Sequence, residues 1–264
     1  MSSRPEAGAP ELAVSGFPRF FTIAGRRVNS YKVFLAVGIC VGTLTTAAAA
    51  DAAGLSPLPV GLAAMGSALA GLIGARVYHV LVHAPRYLGA DSPRTLWHTA
   101  SGGMGVFGAL LTFVPTSLAA AAVIGVPAAD LWDQMAVGVL AGGFWIRLGC
   151  VFNGCCGGRE TDGPFGVFLH DTVGVRKRRV PVQFLEMAWW VLGLVAFLAL
   201  WPTESPAGSC ALAVLAWYGA GRFFLEPLRE SPAVVYGRVR INQLVALLIA
   251  MGAISALVLV AWPT

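Results

Sequence analysis

The stretch WDQMAVGVLAGGFWIRLGCVFNGCCGG, residues 132–158, puts two kinds of chemistry in one line. Residues 132–152 are almost all apolar or small, and that is the length an α-helix needs to cross a bilayer core of about 30 Å. Near the end of this run stands Arg147, followed by Cys150, Asn153, a glycine turn and the pair Cys155–Cys156. A cation inside a span costs enough free energy that it usually marks a partner or a ligand.

The rest of the chain agrees with a membrane reading. Its 264 residues are 57% hydrophobic and 12% charged, against about 25% charged in soluble domains, which excludes a soluble or nucleic-acid-binding protein. Segments of spanning length fall near 31–50, 58–83, 102–124, 132–152, 184–201, 208–226 and 241–262. The fold class expected is an all-α integral membrane protein of about seven transmembrane helices, preceded by a polar segment over residues 1–30. Residues 1–16 lack the basic start and apolar run of a cleavable signal. Breaks such as GLSPLP (54–59) and WPTESPAG (201–208) carry turn residues. Small residues recur within spans, as in AAMGSALAGLIGA (63–75), and allow close helix contact.

Charge alternates between the loops. The N-terminal segment and the loops at 84–101, 153–183 and 227–240 hold the Lys and Arg outside the spans, while the loops around 51–57, 125–131 and 202–207 hold only acids. The positive-inside rule places the basic side in the cytoplasm; basic residues also serve anionic headgroups on either side. The run RKRR (176–179) reads as a solvated loop touching such headgroups.

Arg76, Arg147 and Arg222, with Glu226, lie near the basic ends of their spans. Snorkelling to the interface is the bland reading, and Arg222 and Glu226 also suit an i,i+4 pair. Arginine forks at a membrane boundary match a phosphate, hence an anionic phospholipid. The thiols read as small buried hydrophobes, or as reactive groups beside Arg147 and Arg159. No metal is expected; His79 and His83, four apart, with Cys156, form the alternative metal set.

The run GxxxRLGCxxNGCCGGRxTDGPFGVxF resembles the signature of the prolipoprotein diacylglyceryl transferase family. YKVFLAVGICVG (31–42), GARVYHVLVHAPRYL (74–88), GGMGVFGALL (102–111), RVPVQFLE (179–186) and WYGAGRFFLEPLRE (217–230) resemble further segments of it, in family order. The resemblance implies seven helices, a small loop region at about 153–183 over the lipid site, and no cofactor. It implies transfer of diacylglyceryl from phosphatidylglycerol to a thiol acceptor, such as the lipobox cysteine of a prolipoprotein, in the bacterial cytoplasmic (inner) membrane. By position, Arg147 and Arg222 would hold the phosphate, while Tyr31, Arg76, Gly149, Asn153, Gly154, Gly158, Arg159 and Glu226 would shape the cavity.

The chain departs from the family where Phe107 precedes Gly108 in place of a histidine, and where Cys150 and Cys155 stand for an asparagine and an acid, the pattern of a divergent paralogue. Cys150 and Cys155 join Arg147, Arg222 and Glu226 as catalytic candidates, through a covalent relay or a redox centre. The family orientation would put the arginine-bearing ends outside the cytoplasm, opposite to the charge count. The non-catalytic alternative is a phospholipid-binding or thiol- and metal-handling membrane protein of the same fold.

Overall fold

The computed structural model describes residues 17–84, 87, 106–172, 174–200, 205–230, 235–236 and 239–261. Seven α-helices account for most of these: α1 (Ser30–Ala52), α2 (Pro57–Val82), α3 (Val106–Ile124), α4 (Ala128–Asn153), α5 (Val182–Leu200), α6 (Ser209–Leu225) and α7 (Ile241–Ala261). Six are long and apolar enough to span a membrane; α6 is the exception. Its 17 residues reach about 25 Å at 1.5 Å per residue, the lower end of the lengths that cross a bilayer. The expected third span begins at 102, and residues 102–105 lie outside the described residues.

Local sequence sets the helix ends. The Asn29 side chain accepts from the Tyr31 amide at 2.9 Å and caps α1, and Pro57 opens α2. Helix α4 stops at Gly154, whose φ of +70° only glycine adopts freely. The amides of Gly154 and Cys155 then return to the carbonyls of Val151 and Cys150 at 3.3 and 3.1 Å, the double bond of a Schellman ending.

Small residues decide which helices touch. A Cβ on Gly138 of α4 would come 2.4 Å from the Gly42 carbonyl oxygen of α1 and 2.2 Å from Thr46 Oγ1, so these two helices meet backbone to backbone. Trp189 of α5 and Trp217 of α6 stack at 4.2 Å, and each indole N–H donates to the other's backbone carbonyl, at 3.0 and 3.1 Å. Large apolar side chains such as Leu62, Leu69, Leu198 and Leu248 stay exposed on the outer faces, as the helices of a lipid-embedded bundle require.

One end of the bundle carries three two-stranded antiparallel hairpins: β1 (Phe20–Ile23) with β2 (Arg26–Asn29), β3 (Val167–His170) with β4 (Arg176–Arg179), and β5 (Val235–Tyr236) with β6 (Val239–Arg240). Connections also stitch this end together. Arg159 N donates to Leu228 O at 2.9 Å and Glu230 N to Gly157 O at 3.2 Å, tying the segment after α4 to the segment after α6.

The RKRR run is a strand, β4, and not a loop: Arg176 and Lys177 are exposed as expected, while Arg178 is half-buried and Arg179 buried. Arg179 is buried and pairs with Glu230 and with Asp171, the latter at 3.6 Å. Arg178 Nε donates to Gly166 O at 3.2 Å, Lys177 pairs with Glu160, and Arg176 lies 5.1 Å over the Phe168 ring. A residue that reads as loop charge is consumed in holding the loop's own shape.

Candidate functional site

The hairpin-bearing ends of α4, α5, α6 and α7 converge on a buried charge cluster. Glu186, on the second turn of α5, is its centre. Its Oε2 lies 3.1 Å from Arg147 Nε of α4, and its Oε1 lies 3.4 Å from an Nη of Arg222 on α6 and 2.7 Å from an Nη of Arg229. Glu226, fully buried, takes Arg222 at 3.0 Å and Arg229 at 4.0 Å, and accepts from Asn242 Nδ2 of α7 at 2.9 Å. Arg240 donates to the carbonyls of Glu226 and Arg229 at 2.8 and 3.1 Å.

Three guanidiniums thus face two carboxylates, with Arg240 at the edge, and positive charge is in excess. In low dielectric that excess attracts an anion far more strongly than it would in water. The cations differ in access. The side chain of Arg229 is 7% exposed, those of Arg147 and Arg222 are 19% and 22%. Arg229 therefore fixes the carboxylates, and the other two remain open to a ligand. Arg147 pairs with Glu186 through Nε, which leaves its two Nη groups for a further acceptor. Arg147, Glu186, Trp189, Trp190, Tyr218, Gly221, Arg222 and Leu225 line one narrow crevice.

Beside the arginines sit the thiols. The sulfurs of Cys150, Cys155 and Cys156 all lie within 4.8 Å of one another, and all three cysteines are free. Hydrogen bonds from Cys150 and Cys155, reinforced by Arg229 and Arg147, hold the Cys156 thiol below its ordinary range. Gln183 Nε2 donates to the Cys155 carbonyl at 3.1 Å. Tyr31 is close enough to feel the charge of the three thiols and of Arg147, and a Cβ on Gly149 would meet Tyr31 Cα at 3.4 Å. Asn153 Oδ1 accepts from Asn29 Nδ2 at 2.9 Å, joining α4 to α1.

The sequence that builds this bundle has known relatives. The family model for prolipoprotein diacylglyceryl transferase matches residues 18–259. The chain belongs to that family. A phosphatidylglycerol-prolipoprotein diacylglyceryl transferase of Cutibacterium acnes is 32% identical over 207 residues, covering 72% of this chain and 67% of that protein. One from Corynebacterium diphtheriae is 29% identical over 250 residues and covers 87% of each. The protein is thus a multi-pass membrane member of a transferase family.

Within that family frame, the structure gathers Arg147, Arg222, Glu226, Cys150, Cys155, Cys156, Gly149 and Tyr31 at one end of the bundle. Gly154 ends α4, and Gly158 packs so tightly that an added Cβ would fall 2.1 Å from Val180 O. Arg76, buried on α2, lies 5.5 Å from the Tyr87 ring centroid. Arg159 contributes backbone bonds to Leu228 and Val180, and its side chain is exposed. His79 and His83 stack on each other at 4.3 Å; among the described residues the only set of three or more metal-ligating side chains close enough to share an ion is the three thiols, without either histidine.

Sequence reasoning missed Glu186, Arg229 and Asn242. Glu186 carried a usable signal, since it is an acid within the expected span 184–201. Arg229 reads as ordinary loop charge until the turn Glu226–Leu228 folds it back under α6.

Proposed function

We propose that this protein moves the diacylglyceryl group of phosphatidylglycerol onto a thiol acceptor, of which a prolipoprotein cysteine is the type, in the bacterial cytoplasmic membrane. The observation that carries this reading is the pair Arg147 and Arg222, partly exposed in a spanning bundle and held by one shared buried carboxylate, Glu186. A substrate of this class enters from lipid, so its phosphate must be met at the interface by groups already charged and already oriented.

Arg147 and Arg222 bind the phosphate that links the two glycerol units. When the carbon–oxygen bond to the diacylglyceryl carbon breaks, negative charge grows on that phosphate, and fixed guanidiniums stabilise it without reorganising. Glu186 and Glu226 position the forks. Arg229 and Asn242 keep those carboxylates from turning toward the ligand. Tyr31, Gly149 and Asn153 wall the thiol side of the site, where the acceptor sulfur approaches.

A covalent relay through Cys150 or Cys155 is disfavoured by its chemistry, because it would leave a thioether whose carbon–sulfur bond a second thiol does not readily displace. The second reading, a phospholipid-binding protein without turnover, draws support from the same cysteines, which stand where the family signature holds polar groups.

Isotope-labelled phosphatidylglycerol in membranes containing the wild-type protein or Arg147→Ala separates the two. Arginine-dependent appearance of labelled diacylglyceryl on a thiol supports the transferase. Labelled phospholipid that stays bound and unconverted overturns it in favour of binding alone.

A further inference from the structure

Bringing three thiols within 4.8 Å of one another costs this chain conformational energy. The ending of α4 accounts for two of them, because a Schellman closure brings the side chains of Cys150 and Cys155 together across the last turn. Any apolar pair would serve there. The third thiol has no such excuse. Cys156 has φ of +60°, a left-handed backbone that costs a residue with a side chain about 1–3 kcal/mol. A chain that needed only to turn would carry glycine at 156, as it does at 154, where φ is +70°. The strained conformation delivers a third sulfur to the other two.

We propose that Cys150, Cys155 and Cys156 bind one thiophilic divalent ion of the zinc type, and that the coordination position they leave open takes the thiol of the acceptor. Sulfurs about 2.3 Å from such an ion stand about 3.8 Å apart, so the cluster needs to contract by no more than about 1 Å. Three thiolates on a divalent ion carry one net negative charge, and Arg147 and Arg229 lie near enough to offset it. Three protein ligands with a vacancy is the pattern of zinc sites that act on a bound substrate, in contrast to closed structural sites.

The acceptor clause rests on the transferase reading above. A thiol that coordinates the ion loses its proton to water and stays a thiolate at neutral pH. Its sulfur then supplies the electron pair for the new bond to the diacylglyceryl carbon. The carbon–oxygen bond breaks as that bond forms, and its electrons leave with glycerol phosphate, held by Arg147 and Arg222. The thioether product binds the ion weakly and departs, so the site is restored without an oxidant or a reductant.

The test is a cobalt(II) titration of the reduced, full-length protein in detergent, read by thiolate-to-metal charge-transfer absorption. The band is expected to saturate at one ion per chain, to vanish when Zn²⁺ is added, and to change on addition of a short peptide with one cysteine but not its serine counterpart. Cys156→Gly relieves the strained backbone, so the fold is kept while the third sulfur is lost, and cobalt affinity is expected to fall by about tenfold or more. Absence of the band, or equal affinity in Cys156→Gly, overturns the site. A band indifferent to the cysteine peptide overturns the acceptor clause. Failure of the transferase reading is seen separately, as transfer insensitive to Arg147→Ala, since the titration needs no phospholipid turnover.

Discussion

Asp133 and Glu186 are both carboxylates inside helices of spanning length, and the structure uses them in opposite ways. Asp133 of α4 accepts from the amides of Gly208 and Ala211 at 2.7 Å each, so it caps the N-terminus of α6 from a neighbouring helix. Its charge meets the positive end of a helix dipole and the donors that end leaves unpaired. Glu186 instead gathers three guanidiniums, two of them still open to a ligand. A membrane-embedded charge whose partners are all backbone amides is structural. One whose partners keep excess charge and exposure is a candidate site. The nearby tertiary structure, not the residue type, separates the two cases.

Substitution at the two acids tests that distinction most sharply. Glu186→Gln leaves buried guanidiniums without their shared counter-charge, and the expected destabilisation is about 3–5 kcal/mol, read as a lowered midpoint of unfolding in detergent together with lost transfer. Arg147→Ala or Arg222→Ala is expected to lower transfer about 100-fold or more, equivalent to about 2.7 kcal/mol in the barrier, while the bundle stays folded by circular dichroism. Arg147→Lys restores little of it, because a point charge cannot keep Glu186 and a phosphate at once.

Asp133→Ala loses a helix cap, so about 1–2 kcal/mol of stability goes, and transfer per folded molecule is unchanged. Equal loss of transfer at Asp133 and Glu186 would erase the contrast drawn between them.

The smallest effect lies outside the bundle. Burial, with Arg176 opposite in the β3–β4 hairpin, holds His170 below its ordinary range, so the folded state prefers the neutral ring. The stability this contributes is present above the unfolded pKa and is lost as the pH falls from there through the folded one. Between about pH 7 and about pH 5, the unfolding midpoint of His170→Gln is expected to drop less than that of the wild type.

Much of the candidate site was legible one residue at a time. Arg147, Arg222 and Glu226 declare themselves because a charge in an apolar run has few bland explanations, and they lie together in the fold. Glu186 was equally legible by that rule, yet a reading led by arginine passes over the acid that organises them. Arg179 shows the opposite error, since four basic residues in a row read as solvated while the last is buried against Glu230 and Asp171. Pairing partners 51 residues apart leave no periodic trace in a sequence.

The sequence by itself determined that this chain lies in a membrane, that the described residues form seven helices and which end of the bundle is basic, because span length, hydropathy and turn residues are local properties. Only the tertiary structure decided that Glu186 joins three arginines and that Cys156 turns back to meet Cys150 and Cys155. The first depends on α5 and α6 meeting closely, as at Gly221 against Trp189, and the second on the left-handed turn at Gly154. Such contacts are set by close approach between segments far apart in the chain, which local physics permits but does not specify.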